Sequence, residues 1–355
     1  MATVSHTTPQ IAHYMELLAR ARPRSVRLRT VRESAIMTGL IACGAFTLAI
    51  TVSIVILLGA EAFNFFAEPH PTAQNEMMDV SVVEFLTGLR WSPLLGETKH
   101  FGVWPLILGT LKITCVAMAV ALPLGLIIAI WLSEYAPARL RTMIKPTLEV
   151  LAGIPTVVFG YFALTLITPF LQLPFGDDTT GGFWQSLRPD NYNGLAAGLA
   201  VGIMALPIVC SLAEDALRAV PNALREASYG VGANRFETSI KVVVPAALSG
   251  IVAASLLAFA RAIGETMIVA LAAGASPVQI LDPATGQFDA AATASLSAPV
   301  QPMTGYMVQI FLGDAPHGTV EYYSSYAVAA TLFCMTFALT ALGGVVRRRF
   351  RQVYH

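Results

Sequence analysis

Apolar runs long enough to cross a lipid bilayer constrain this chain more than any other feature. A spanning helix needs about 20 consecutive apolar residues. Runs of that order occupy roughly residues 34–58, 103–132, 146–170, 194–212, 246–273 and 326–346. Six spans are expected. They are expected as helices, because a segment in hydrocarbon must satisfy its own backbone polar groups. The alternation of an outer-membrane barrel is absent. Only 12% of the 355 residues are charged, about half the share usual in soluble domains. The net charge is zero, which argues against a bulk nucleic-acid binder.

The positions of Lys and Arg give the expected orientation. Six precede the first run, three lie between the second and third, four between the fourth and fifth, and four follow the last. The other face carries Arg90, Lys99 and Arg188, while Lys112 and Arg261 lie within apolar runs. The positive-inside rule then places both termini in the cytoplasm. The opening 33 residues do not read as a signal peptide, since the run after them is too long and has no cleavage site. A short amphipathic piece, "IAHYMELLARA", is expected on the inner leaflet. Cys43, Cys115, Cys210 and Cys334 all fall in apolar runs and read as small hydrophobes, with no metal or disulfide framework.

The resulting division is a cytoplasmic segment 1–33, a first transmembrane helix 34–59 and a periplasmic loop 60–102. A core of spans two to five follows at 103–273, with a coupling loop at 214–245. A second periplasmic loop 274–325, a last helix 326–346 and a basic tail 347–355 complete the chain. Loops as long as the two outer ones are usually functional or disordered. Within the second, residues 306–313 ("YMVQIFLG") read either as a surface helix packed on the membrane domain or as part of an outer gate or docking surface. Gly194, Gly198 and Gly202 recur every four residues, making a groove for another helix, either within the chain or on a second subunit. Lys112, near the outer end of the second run, is expected to snorkel to the interface; the other reading is a basic residue at the mouth that attracts anions. Glu134 and Glu149 read as solvated or interfacial.

The stretch "REASYGVGANRFETSIKVVVP", residues 225–245, is polar between two very apolar runs. Pro221 can start a helix, and Gly230 and Gly232 break it. Two short surface helices are expected, polar outward, burying Leu224, Ala227, Val231, Phe236 and Ile240. Such an element is a docking surface or an ordinary amphipathic loop. In the next run, "ARAIGETMIVALAAG" places Arg261 and Glu265 four residues apart, on one face of a continuous helix. Charges at that depth are costly and face a partner or an aqueous path. One reading is an ion pair that pins helices together. The other is a guanidinium offering its planar fork to an oxyanion, compensated by Glu265 and assisted by the Thr266 hydroxyl.

The spacing Glu226-Ala227, then Gly232, then Val242-x-Val244-Pro245 resembles the EAA signature of importer-type ABC permeases. Ser228 stands for the second Ala and Val244 for Leu. The resemblance implies an all-α integral membrane protein of the type I ABC importer permease fold. Its cytoplasmic coupling helix, carrying Glu226, Ala227, Gly232 and Pro245, would fit a cleft on an ATPase. That ATPase is a separate chain, since no Gly precedes any of the four lysines as a phosphate-cradling loop requires. "RAIGETM" resembles a segment of the phosphate ABC importer permeases, nearer the PstC branch than the paralogous PstA branch. "PLGLIIAIWLSEYAP", "KPTLEVLAGIPTVVFGYFAL" and "GDAPHGTVEYYSSYAVAATLF" agree with it. The resemblance covers most of residues 104–355 and the first hundred only weakly.

What the resemblance implies is a non-catalytic permease subunit of the bacterial inner membrane. It would work with a PstA-like permease, a PstB-like ATPase dimer that binds the ATP, and a periplasmic PstS-like phosphate-binding protein. Arg261, Glu265 and Thr266 would contribute to the phosphate path; no metal and no cofactor of its own are implied. Three rivals remain: an importer of sulfate, molybdate or phosphonate, a secondary carrier that ignores ATP, and an intramembrane enzyme. Against the last, all six histidines lie outside the apolar runs, and no His-Glu-x-x-His occurs.

Overall fold

The computed structural model describes residues 23–72, 76–94, 98–175, 188–281 and 286–349. The expected amphipathic piece at 11–21 and the end of the basic tail, including Arg351, lie outside the described residues. Two compact units divide the chain after Ala60.

The first unit holds most of helix α1, Pro23–Ala67. Its apolar side chains are exposed; Leu40 and Phe46 are each 68% exposed. Such a face suits hydrocarbon and not water. Three hydroxyls on it are satisfied internally: Thr47, Thr51 and Ser53 each donate to the carbonyl four residues back.

The second unit begins with the last turns of α1 and two small hairpins. Strand β1 (His70–Pro71) pairs antiparallel with β2 (Met77–Met78). Helix α2 (Val82–Thr87), capped by the Ser81 hydroxyl, leads to β3 (Trp91–Ser92), which pairs with β4 (His100–Phe101). Then come α3 (Trp104–Ile130), extended by a widened π-turn over Trp131–Tyr135, and α4 (Ala138–Ala152). After a break at 153–155, α5 (Thr156–Phe162) and α6 (Thr168–Gln172) form one rod through another π-turn. Helix α7 is Gly194–Arg218, α8 Asn222–Gly230, α9 Arg235–Thr238 and α10 Val244–Ala246. Next are α11 (Leu248–Ile263), α12 (Met267–Ala272), α13 (Ala290–Ala294), α14 (Met303–Gln309) and α15 (Val320–Arg349).

Among the described residues, four helical segments are long and apolar enough to span a bilayer: Val31–Ala67, Trp104–Tyr135, Gly194–Arg218 and Val320–Val345. Two bent pairs bring the number to six. Ala138–Ala152 meets Thr156–Gln172 at 85°, and Arg235–Ala246 meets Leu248–Ile263 at 70°. Pro155 lacks the N–H that would continue α4 into α5, and Gly153 caps α4 before it.

Helices α3 and α7 form the centre. Gly198 lies against Val116 and Ile113, Gly202 against Ala117, and Gly125 against Val209, so the two run parallel. A Cβ built on Gly202 would sit 2.8 Å from the Ala117 carbonyl oxygen, so backbone meets backbone there. The glycine groove is therefore filled within the chain. A core of small and branched residues surrounds it, including Ala117, Ala121, Ala197, Val201, Ala258 and Ile268. At the Trp104 end of α3 a second core holds Phe65, Phe85, Trp91, Phe101 and Tyr306. Tyr306, from the apolar stretch 306–313, meets Trp91 edge-on at 4.9 Å and shares a 2.6 Å hydrogen bond with Ser324. A third core, with Leu217, Val220, Val243 and Ile251, closes the other end.

Overpacking a filled contact costs about 1–3 kcal/mol. Gly202→Val is therefore expected to lower the thermal midpoint of the detergent-solubilised protein by several degrees. Gly44→Val, with nothing within 4 Å of its Cβ, is expected to leave it unchanged. Equal midpoints would remove this contact from the account.

Candidate functional site

The polar stretch after α7 folds as an elbow. Helix α8 ends at Gly230, and Gly232 turns the chain at a φ of 90°, where a side chain would be strained. A reciprocal capping box starts α9: Glu237 N–H donates to Asn234 Oδ1 at 2.9 Å, and Asn234 N–H to Glu237 Oε2 at 3.2 Å. A π-turn over Ser239–Val243 leads through α10 to the 70° bend and α11.

The sidedness of this elbow is the reverse of the sequence expectation. Val231 is 85% exposed, Phe236 66% and Ile240 43%, and Ala227 is exposed as well. Of the five residues expected inside, only Leu224 packs inward. The inward side is polar: Ser228 and Thr238 are buried and bond each other through their hydroxyls at 2.9 Å. Two short hydroxyl side chains that satisfy each other can be buried at little cost. The larger apolar groups are thereby left facing out, beside exposed Glu226, Gly232 and Pro245. An outward apolar surface of this kind is chemically suited to burial by another surface.

Arg225 fixes the elbow to the core. Its Nε and Nη2 form a fork on Glu134 at 3.2 and 2.8 Å. The remaining N–H groups donate to the carbonyls of Val220 (2.7 Å) and Leu217 (2.9 Å) and to Asn222 Oδ1 (3.4 Å). All five guanidinium donors are used, which a lysine cannot reproduce. Glu134 is thus not a solvated charge; its side chain is 7% exposed and joins the end of α3 to α8. Glu149 is exposed, as expected. Beside this fork, Glu214 of α7 is fully buried and takes Lys145 at 3.1 Å, with Arg141 and Arg218 each 3.8 Å away. Lys145 also pairs with Asp215. This network locks α4 onto α7. It escaped the sequence reading, although the i,i+4 spacing of Glu214 and Arg218 was a visible signal.

Arg261 and Glu265 do not form the expected pair. Helix α11 stops at Ile263, and Gly264 breaks it, so the two residues are not on one continuous helical face. Arg261 sits in the last turn of α11, exposed, with Met204 Sδ 3.6 Å from Nη2. Its charge there complements the negative end of the helix. Glu265 is 6% exposed and caps α12, its Oε1 3.5 Å from Ile268 N–H. The Thr304 hydroxyl donates to the Glu265 carbonyl at 2.7 Å, and the Thr266 hydroxyl turns to the Gly264 carbonyl at 3.2 Å. The break therefore separates the acid, held inside, from a guanidinium that stays open on the surface of a membrane segment.

Removing the Arg225 fork costs several charge-assisted bonds at once. In Arg225→Lys, amide hydrogen exchange over 222–230 is expected to rise on the order of tenfold or more. Phe236→Ser, on the outward face, is expected to leave it within twofold. Unchanged exchange in Arg225→Lys would show that the fork does not hold the elbow.

The family described as "Binding-protein-dependent transport system inner membrane component" matches residues 121–352. A "Probable ABC transporter permease protein YqgH" of Bacillus subtilis is 32% identical over 316 residues, 89% of this chain and 90% of that protein. A "Phosphate transport system permease protein PstC" of Mesorhizobium japonicum is 33% identical over 260 residues, 71% of this chain and 76% of that one. Among solved structures, an inward-facing MetNI methionine ABC transporter matches with a TM-score of 0.50 at 18% identity, over 70% of this chain and 98% of that one. That likeness is one of fold alone. The matched region holds the end of α3, α7, the elbow and the broken helix at Arg261. The chain belongs to the binding-protein-dependent transport system inner membrane components, as a multi-pass ABC transporter permease of the importer fold.

Proposed function

We propose that this permease forms half of the translocation pathway of an ATP-driven inorganic phosphate importer. The observation that carries the coupling half of this reading is the outward apolar face of the elbow, with Val231 and Phe236 more than half exposed. A separate ATPase dimer, which binds the ATP, takes that face together with Glu226, Ala227, Gly232 and Pro245. The permease itself does no chemistry. Its motions follow ATP binding because Arg225 and Glu134 tie the elbow to α3.

The substrate half rests on Arg261. A guanidinium left open on a membrane segment is costly unless a partner or an aqueous path covers it. In this reading a paralogous permease supplies the facing wall, and the planar fork of Arg261 meets the tetrahedral oxyanion between the two chains. Glu265 and Thr266 shape the break that presents it. Similarity to the named phosphate permease of Mesorhizobium supports phosphate over sulfate, molybdate or phosphonate. Both termini and the elbow are then cytoplasmic, and an outer phosphate-binding protein docks on the opposite loops.

The test is uptake of labelled phosphate, with labelled sulfate as control, in cells lacking this chain and every other phosphate importer. The wild type is expected to restore phosphate uptake alone. Arg261→Ala is expected to lose at least tenfold while the assembled complex keeps its ATPase activity. Phe236→Asp is expected to lose uptake together with ATPase binding. Sulfate uptake in place of phosphate would overturn the substrate, and full uptake by Arg261→Ala would overturn the site.

A further inference from the structure

Lys112 does not snorkel to open water. It lies eight residues into α3, about 12 Å along the helix from Trp104. Its side chain is half-buried, and Nζ donates to the Ser295 carbonyl at 2.9 Å. Around it is a cavity of about 290 Å³, lined by Lys112, Ser276, Gln279 and Ser295 with Pro277 and Val300. Against the ~30 Å³ share of one water molecule, this leaves room for a small hydrated ion.

The chemistry of the lining is one-sided. Among the described residues, no carboxylate lines the cavity and none pairs with Lys112. An ammonium has three donors, and the Ser295 carbonyl uses one. The Ser276 hydroxyl and the Gln279 amide bond no other described side chain and add further donors. The segment 296–300 along the cavity is stitched down. The N–H groups of Gly194 and Leu195 donate to the carbonyls of Ala298 and Leu296, and Val300 N–H donates to the Ala273 carbonyl.

Position ties the cavity to the break at Gly264. Helix α12 runs from that break to Ala272, and four residues further the chain reaches Ser276 in the cavity wall. Val300, which also lines the cavity, is four residues from Thr304, whose hydroxyl holds the Glu265 carbonyl. One short helix, about 9 Å of rise, thus lies in the chain between the break and the segment that lines the cavity.

We propose that this cavity is an entry subsite for the tetrahedral oxyanion, in which Lys112, Ser276 and Gln279 hold phosphate before it reaches Arg261. The inference rests on the phosphate reading above. A phosphate-bearing lipid headgroup would satisfy the same donors, so the test separates the two sources.

The complex, purified with its partner chains, is placed in nanodiscs of phosphatidylcholine or of phosphatidylglycerol. A water-soluble amine-acylating reagent is added, and its reaction with each of the four lysines is followed by peptide mass spectrometry. Millimolar inorganic phosphate, against chloride at matched ionic strength, is expected to slow acylation of Lys112 at least threefold in both lipids. Lys145, tied to Glu214 and Asp215 at the other end of the helix pair, is the internal control and is expected not to respond. In cells, Lys112→Met is expected to cut phosphate uptake at least fivefold at unchanged membrane level, with Lys112→Arg close to wild type. If Lys112→Met fails to assemble, Lys112→Arg and the protection experiment decide.

Absence of phosphate protection while wild-type uptake of phosphate stands overturns the subsite alone. Protection that follows anionic lipid and not added phosphate assigns the cavity to headgroups and also overturns it. Phosphate protection in a chain that does not import phosphate keeps the anion site and overturns the phosphate reading instead.

Discussion

The close contact of α3 with α7 at Gly198 and Gly202 is the interaction from which the rest hangs. Hydrocarbon offers no hydrophobic drive to bring two helices together, so packing must do it. Bare glycine surfaces let Val116 and the Ala117 backbone approach to contact distance. Because the pair is parallel, both helices begin together at one end and finish together at the other. One end carries Lys112 and the segment stitched along its cavity; the other carries Glu134, Glu214 and the elbow. A single closely packed pair thus joins the Lys112 cavity at one end to the elbow at the other.

Charge is placed according to what covers it. Glu214 and Glu134 are buried with cations around them, so removing one partner would leave an uncompensated charge. Arg261 is the opposite case, exposed and, among the described residues, without an acid partner. The elbow repeats the contrast with apolar groups, since its hydroxyls are inside and Phe236 is outside. In the proposed function another subunit covers both places.

The spans were legible because hydropathy over 20 residues is a strong signal, and α1, α3, α7 and α15 are where it was strongest. The two bends were not. A hydropathy run does not register that Gly153 and Pro155 end one helix and start the next, or that Gly264 ends α11. That same break defeated the Arg261–Glu265 pairing, which assumed a continuous helix. The elbow was located from its glycines and prolines, but its sidedness was inverted. The expectation took this chain's own core as the destination of the apolar residues, whereas Ser228 and Thr238 turn inward and satisfy each other. Arg225, Lys145 and Glu214 were missed as a group because their partners lie 69 to 91 residues away in sequence.

The central claim is that the elbow's apolar face receives an ATP-binding subunit. The most direct measurement is site-specific cross-linking in the assembled transporter, with single cysteines introduced into a cysteine-free chain. Val231→Cys and Phe236→Cys are predicted to cross-link to the ATP-binding subunit, and the buried Ser228→Cys is not. Cross-linking at Ser228→Cys with none at Val231→Cys or Phe236→Cys would contradict the account.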